Sequence, residues 1–194
     1  MLEAIRNFDY SIFSFLNQWV KDGFLLKAVI FVLAKYLIFI FFLIIAYMWL
    51  FNGKGDKKEE YRSKRAVIYT FLSLAWAFLI DQLINLVFIR NRPLVSHPLE
   101  VKQLSVTVDP TSFPSSHSIF VFAIATSFYM AGYKTLGIIL YIMAIIVGIA
   151  RISAGVHYPV DIIAGSLFGI FAAWLVQREG GWVKENLLKQ FQDK

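Results

Sequence analysis

Five apolar stretches, roughly 24–51, 66–89, 117–133, 135–152 and 159–177, occupy most of this chain. A helix needs about 20 apolar residues to cross the hydrocarbon of a bilayer, and backbone in lipid must satisfy its hydrogen bonds within its own segment. The chain is therefore expected to be all-α, a polytopic membrane helical bundle of about five transmembrane helices. The last three stretches are near the short limit, which predicts that neighbours shield their outer ends. Of 194 residues 58% are hydrophobic and 16% charged, with a mean hydropathy of +0.63. Soluble domains lie nearer half and a quarter. Nothing resembles an inter-domain linker, so residues 1–194 read as a single integral-membrane domain.

Residues 1–20 carry Leu2, Ile5, Phe8, Ile12, Phe15 or Leu16, and Trp19 at three-to-four spacing, interrupted by Glu3, Arg6, Asp9 and Asn17. That pattern predicts an amphipathic helix lying in the membrane interface; a crossing here would make six spans. Beyond Gly181, the residues Trp182, Val183, Leu187, Leu188 and Phe191 predict a second interfacial helix. The start, Met1-Leu2-Glu3-Ala4-Ile5-Arg6, lacks the basic opening and apolar run of a cleavable signal peptide, so the first span is expected to remain as the anchor. The absence of cysteine excludes disulfides and thiolate metal sites.

Charge sets the orientation. Residues 52–65 hold six of the 19 basic residues, and Lys134, Arg178, Lys184, Lys189 and Lys194 follow the same side of the alternation. The positive-inside rule places these on the cytoplasmic side. The net charge of +6 thus reads as topology rather than nucleic-acid binding. Residues 90–116 and 153–158 then fall on the extracytoplasmic face of a bacterial-type plasma membrane. The loop 94–112, with its Val106-Thr107-Val108 alternation, is a lid, a small hairpin or a plain connector.

Three polar clusters meet at that face: Arg92-Pro93, Pro114-Ser115-Ser116-His117, and Arg151 with His157 and Asp161. Charge at a membrane edge is costly and marks a functional site. Arginine forks match phosphate oxygens, and histidine serves as nucleophile or acid. Pro159 suits the first turn of a helix, which puts His157 just before it and Asp161 inside it. A carboxylate there can accept from the imidazole, leaving the other nitrogen as nucleophile; a lone histidine would more often be structural. Ser115 and Ser116 precede an apolar helix, whose N-terminal amides attract anions, although a simple N-cap, which Ser112 or Ser115 could supply alone, is the ordinary explanation. His117 is a candidate general acid and base. Asn85 and Asp81 share a helix face below Arg92. Asp81 reads as structural, pairing Lys35 or orienting an arginine, and Lys35 as an interior or snorkelling partner. Gly165 and Gly169 read as helix packing.

These clusters resemble the three-part signature of the type-2 phosphatidic acid phosphatases. The resemblance spans residues 85–161 in order, spacing and membrane context. The family usually has lysine where this chain has Asn85, Ser-Gly-His where it has Ser115-Ser116-His117, and Ser-Arg where it has Ala150-Arg151. The strings Arg92-Pro93-Leu94-Val95-Ser96-His97 and Gly155-Val156-His157-Tyr158-Pro159-Val160-Asp161 look closest to the bacitracin-resistance undecaprenyl-diphosphate phosphatases, which also depart from the lysine.

The resemblance implies a metal-independent phosphohistidine mechanism without a cofactor. His157 would attack the terminal phosphorus, Asp161 hold it, and His117 protonate the leaving oxygen and then activate water. Arg92, Arg151, the amides of Ser115 and Ser116, and Asn85 as a neutral donor would bind the phosphate; Arg90 stands near enough to replace the lysine. A lipid diphosphate suits the missing charge, because a lipid monophosphate leaves more readily than an alkoxide. Phosphatidylglycerophosphate, phosphatidate and lipid A 1-phosphate are alternative substrates, and a lipid phosphotransferase would use the same site. A transporter or channel would not need two histidines with this spacing.

Overall fold

The computed structural model describes residues 2–21, 23–104 and 111–179. In chain order the helices are α1 (Leu2–Asn17, continued by a 3-10 turn Gln18–Lys21), α2 (Phe24–Lys35), α3 (Leu37–Leu50), α4 (Lys57–Val87), the single turn α5 (Pro93–Ser96), α6 (Ser116–Met130), α7 (Lys134–Ser153) and α8 (Pro159–Glu179). Among the described residues the extended pairing is one isolated bridge, Asn91 with Thr111.

Among the described residues three helices, α4, α7 and α8, are long and apolar enough to cross a membrane; counting α2 and α3 as one span bent by 43° makes four. The chain is a multi-pass membrane helical bundle. The third expected span, 117–133, corresponds to α6, whose 15 residues rise about 22 Å, less than the ~30 Å hydrocarbon layer. α6 is the hub of the bundle, packed against α4, α7 and α8. Its residues 121–128 are all buried, so its length is matched to protein rather than to lipid. The outer faces carry exposed large apolar residues such as Leu43, Phe71, Leu79, Ile142 and Leu167, as a lipid-facing surface requires.

Several boundaries differ from the hydropathy reading. The segment 24–51 breaks at Tyr36, with no glycine or proline to announce it. The second span begins nine residues before its apolar stretch, because Asp56 caps α4 by accepting from the amides of Lys58 and Glu59. Glu59–Arg62 and Glu60–Lys64 then pair along the first turns.

The closest helix approach is α6 on α8. A Cβ at Gly169 would stand 2.2 Å from the Ile119 carbonyl oxygen, and one at Gly165 would stand 2.7 Å from that of Ser115. These glycines are packing residues, as their spacing indicated, and the contact fixes the Ser115–Ser118 segment over the start of α8.

α1 turns a different face inward from the one its apolar spacing suggests. Asp9, Phe13, Asn17 and Val20 are buried while Phe8, Phe15 and Trp19 are exposed. Asn17 grips both the amide and the carbonyl of Lys102 and also reaches the Ser153 carbonyl. Gly155, at φ +78°, passes so close to Lys102 that a Cβ there would meet its carbonyl at 2.4 Å. His97 lies against the Tyr10 ring, centroids 4.2 Å apart, and the Tyr10 hydroxyl donates to Glu100. The described part of the loop is therefore strapped down by α1. Its Val-Thr-Val run and the expected C-terminal interfacial helix lie outside the described residues.

Candidate active site

The C-terminal ends of α4 and α7 and the N-terminal ends of α6 and α8 gather at one end of the bundle, which brings the three clusters together. The opposite end is tied by Arg62, which donates to the Gly132 carbonyl, and by Tyr133, which donates to Glu59. The basic loop and the polar clusters thus lie at opposite ends.

His157, 3% exposed, sits in the turn between α7 and α8. Its Nδ1 is 2.8 Å from the backbone oxygen of Ser112. A carbonyl only accepts, so Nδ1 carries the proton and Nε2 presents its lone pair. Arg151 Nη2 donates toward that Nε2 at 3.2 Å. Burial, reinforced by Arg151 and opposed by Asp161, pushes the His157 pKa down to about 4, so the ring is neutral.

Asp161 does not hold His157 as its spacing suggested. Its Oδ2 lies 3.8 Å from Nδ1, beyond hydrogen-bond length. That oxygen accepts instead from the Ser112 hydroxyl at 2.5 Å and the Tyr158 amide at 2.8 Å. The other carboxylate oxygen accepts from Arg90 at 2.6 Å, and the Asp161 backbone oxygen accepts from the Ser115 amide at 3.1 Å. Asp161 joins the second and third clusters; it is linked to His157 through Ser112 and also stands 3.8 Å from Nδ1, near enough for its charge to act on the ring.

The start of α6 faces the same space. The first backbone bond into the helix runs from Ile119 to Ser115, which leaves the amides of Ser116, His117 and Ser118 without a backbone acceptor. The Ser115 amide, expected to meet phosphate, is taken by Asp161. Its buried hydroxyl has no partner, and neither does Arg151 Nε. The Ser116 hydroxyl donates to Asp81 at 2.9 Å. Arg92, also buried, donates through Nη1 to the Val156 carbonyl at 2.9 Å. No carboxylate lies within ion-pair distance of Arg151 among the described residues. His117, half-buried in the first turn of α6, lies near enough to Arg151, His157 and Arg92 for their charges to act on it.

Two expected phosphate ligands are engaged elsewhere. Asn85 donates to Asp81 at 3.3 Å and accepts from Thr111 at 2.9 Å, so it braces the loop rather than facing the arginines. Asp81 meets Ser116 and Asn85, while Lys35 lies over the Phe31 and Tyr36 rings. Arg90 does not replace the missing lysine: it bridges Asp161 and, at 2.5 Å, Asp9 of α1, with its guanidinium 4.1 Å from the Tyr158 ring centroid. Burial alone would lower the Arg90 pKa, but the two carboxylates outweigh it and raise it above the ordinary value. Asp9 and Thr111 escaped the sequence reading, and Ser112, read there as a candidate N-cap, instead binds Asp161 and His157. Asp9 was visible only as a charge breaking an amphipathic pattern.

Among the described residues no three His, Asp or Glu side chains gather to hold a metal ion. What the cluster offers is cationic forks, open amides and a neutral imidazole, a donor set that fits an oxyanion.

The sequence profile of the PAP2 superfamily matches residues 66–182. The chain is 30% identical over 164 residues to the bacitracin transport permease protein BcrC of Bacillus licheniformis, covering 84% of this chain and 76% of that one. It is 28% identical to the undecaprenyl-diphosphatase BcrC of Bacillus subtilis (strain 168), covering 95% and 88%. The crystal structure of Aquifex aeolicus LpxE matches with a TM-score of 0.68 at 23% identity, over 87% of this chain and 94% of that one. The transmembrane PAP2 type phosphatidylglycerolphosphate phosphatase from Bacillus subtilis matches at 0.67 and 22%, over 94% and 89%. At such identities these two structures speak for the fold alone.

Proposed function

The chain belongs to the PAP2 superfamily, and from that premise we propose that it removes the terminal phosphate of undecaprenyl diphosphate, leaving undecaprenyl phosphate. It is a membrane phosphatase, a phosphoric ester hydrolase; likeness to the undecaprenyl-diphosphatase BcrC of Bacillus subtilis supports the isoprenoid substrate. The observation that carries the chemistry is the His157 ring, with Nδ1 tied to a carbonyl and Nε2 facing Arg151.

In the proposed cycle the terminal phosphate enters between His157 and the start of α6. Arg151 Nη2 leaves Nε2 for an equatorial oxygen, which frees the lone pair. Arg92, the Ser115 hydroxyl, and the amides of Ser116 and its neighbours take the remaining charge. Nε2 attacks in line: the N–P bond forms and the bridging P–O bond breaks. His117, protonated from solvent as the entering phosphate offsets the charges of Arg92 and Arg151, gives that proton to the departing lipid monophosphate. Water then loses a proton to His117 and attacks phosphorus, the N–P bond breaks, and inorganic phosphate leaves. Positioning and charge stabilisation supply most catalysis of phosphoryl transfer. The basic residues at the far end of the bundle support an active site on the extracytoplasmic face of a bacterial plasma membrane.

The test is phosphate release by detergent-purified protein from undecaprenyl diphosphate, phosphatidylglycerophosphate and phosphatidate, with EDTA present and with His157→Ala as control. Release from the diphosphate that survives EDTA and vanishes in the variant is expected. A preference for either glycerophospholipid would overturn the substrate, and product that depends on an added alcohol would make the protein a transferase.

A further inference from the structure

Asp9 belongs to none of the three clusters, yet it is 3% exposed on a helix whose other face is bare. A carboxylate is not buried in such a place without partners. Its Oδ2 accepts from Arg90 Nη2 and its Oδ1 from the Val160 amide at 2.9 Å, in the first turn of α8. Arg90 passes the contact to Asp161, and Asp161 holds the hydroxyl of Ser112. The carbonyl of that serine holds His157 Nδ1.

We propose that Asp9 is a positioning residue for the nucleophile: through Arg90, Asp161 and Ser112 it fixes the His157 ring, which makes α1 part of the active site. The inference rests on the reading of His157 as nucleophile. The links from Asp9 to Ser112 are short charge-assisted bonds, which set geometry closely, and the last is the 2.8 Å bond from His157 Nδ1 to the Ser112 backbone oxygen. Arg90 is 30% exposed, so screening discounts the ion pair as a source of stability and leaves geometry as its main effect. A misplacement of about 1 Å at an attacking atom costs on the order of 100-fold in rate. A plain anchoring role for Asp9 predicts something else: loss of α1 docking with turnover intact.

Asp9→Asn separates the two. Its carbonyl oxygen still accepts from Val160, so docking is retained while the charge facing Arg90 goes. The expected result is a fall in kcat of about 10- to 100-fold, with KM within about threefold because Asp9 is placed away from substrate, and with recovery in Asp9→Glu. Combined with Arg90→Gln, the loss should be no larger than the worse single variant, since both break one chain of contacts. A kcat within threefold of the parent, or losses that multiply, would overturn the proposal. Exchange of the His157 Nδ1 proton, read by 15N-histidine NMR of the same proteins, needs no substrate. It should quicken in Asp9→Asn, and unchanged exchange would overturn the proposal even if the parent hydrolysed none of the lipids and the functional reading fell.

Discussion

His157 Nδ1 donates to the backbone oxygen of Ser112, 2.8 Å away, and not to the carboxylate that follows it by one helical turn. The tautomer of the proposed nucleophile is thus fixed by a backbone group that a side-chain substitution does not remove.

Asp161→Asn should therefore be less damaging than the loss of the aspartate in a hydrolase triad, where the wrong tautomer costs about ten-thousand-fold. The asparagine keeps an acceptor for Ser112 or Tyr158 and loses the charge facing Arg90. A fall in kcat of about 100-fold is expected in steady-state phosphate release. A fall near ten-thousand-fold would mean that the carboxylate turns onto His157 in the working enzyme.

The pKa of His157 has a direct consequence. Held down to about 4 by burial, with Arg151 adding and Asp161 opposing, the ring stays neutral as pH falls from 8 to 5. The unfolded chain binds this proton near 6.5. The contribution of the neutral ring to stability is therefore full above 6.5 and is lost as pH falls toward 4. In 13C-histidine NMR, the resonance that disappears in His157→Gln should not move between pH 8 and 5. A midpoint near 6.5 would show that the ring is wet.

Arg151 is a buried cation with an unpartnered Nε; its Nη1 reaches the Ala34 carbonyl at 3.4 Å, and the proposed function gives it a ligand role rather than a structural one. Arg151→Met removes the charge at similar volume, a replacement that is often neutral or stabilising for buried ionic groups. Tm in detergent should stay level or rise, while kcat/KM falls by roughly 100- to 1000-fold, as for loss of one transition-state donor. A marked drop in Tm would make Arg151 structural.

How much of this could be read from the sequence depends on how far each signal travels along the chain. Apolar periodicity announced the bundle, and Gly165 and Gly169 announced the α6–α8 contact, because each is a local pattern. Arg92, His117, Arg151 and His157 converge as their clusters indicated, since alternating spans must return them to one end. The partners of those residues were not legible. Asp9 and Arg90 meet across 81 positions, and the Ser112 carbonyl is a backbone atom with no letter of its own. The partners of Asp161 were missed for the same reason: one-turn spacing brings it to 3.8 Å from His157, but Arg90, Ser112 and Tyr158 take its hydrogen bonds. The start of α4 was hidden because a charged helical turn looks like a loop to hydropathy.

Asn85 raises the question of what a lysine would do in its place. On composition alone, Asn85→Lys would supply the missing phosphate charge and favour monophosphate substrates. The geometry redirects that expectation, because Asn85 Nδ2 already lies 3.3 Å from Asp81. An ammonium there would pair with the buried carboxylate before it met substrate. Asn85→Lys alone should change the ratio of monophosphate to diphosphate hydrolysis by less than about threefold. With Asp81→Asn added, the lysine is released toward Ser116 and the start of α6, and the ratio should rise by about tenfold or more, the scale of one charge-assisted hydrogen bond. Measuring kcat/KM on both substrates for the two single variants and the double variant decides it: a tenfold rise in Asn85→Lys alone would show that Asp81 does not restrain the side chain at this position.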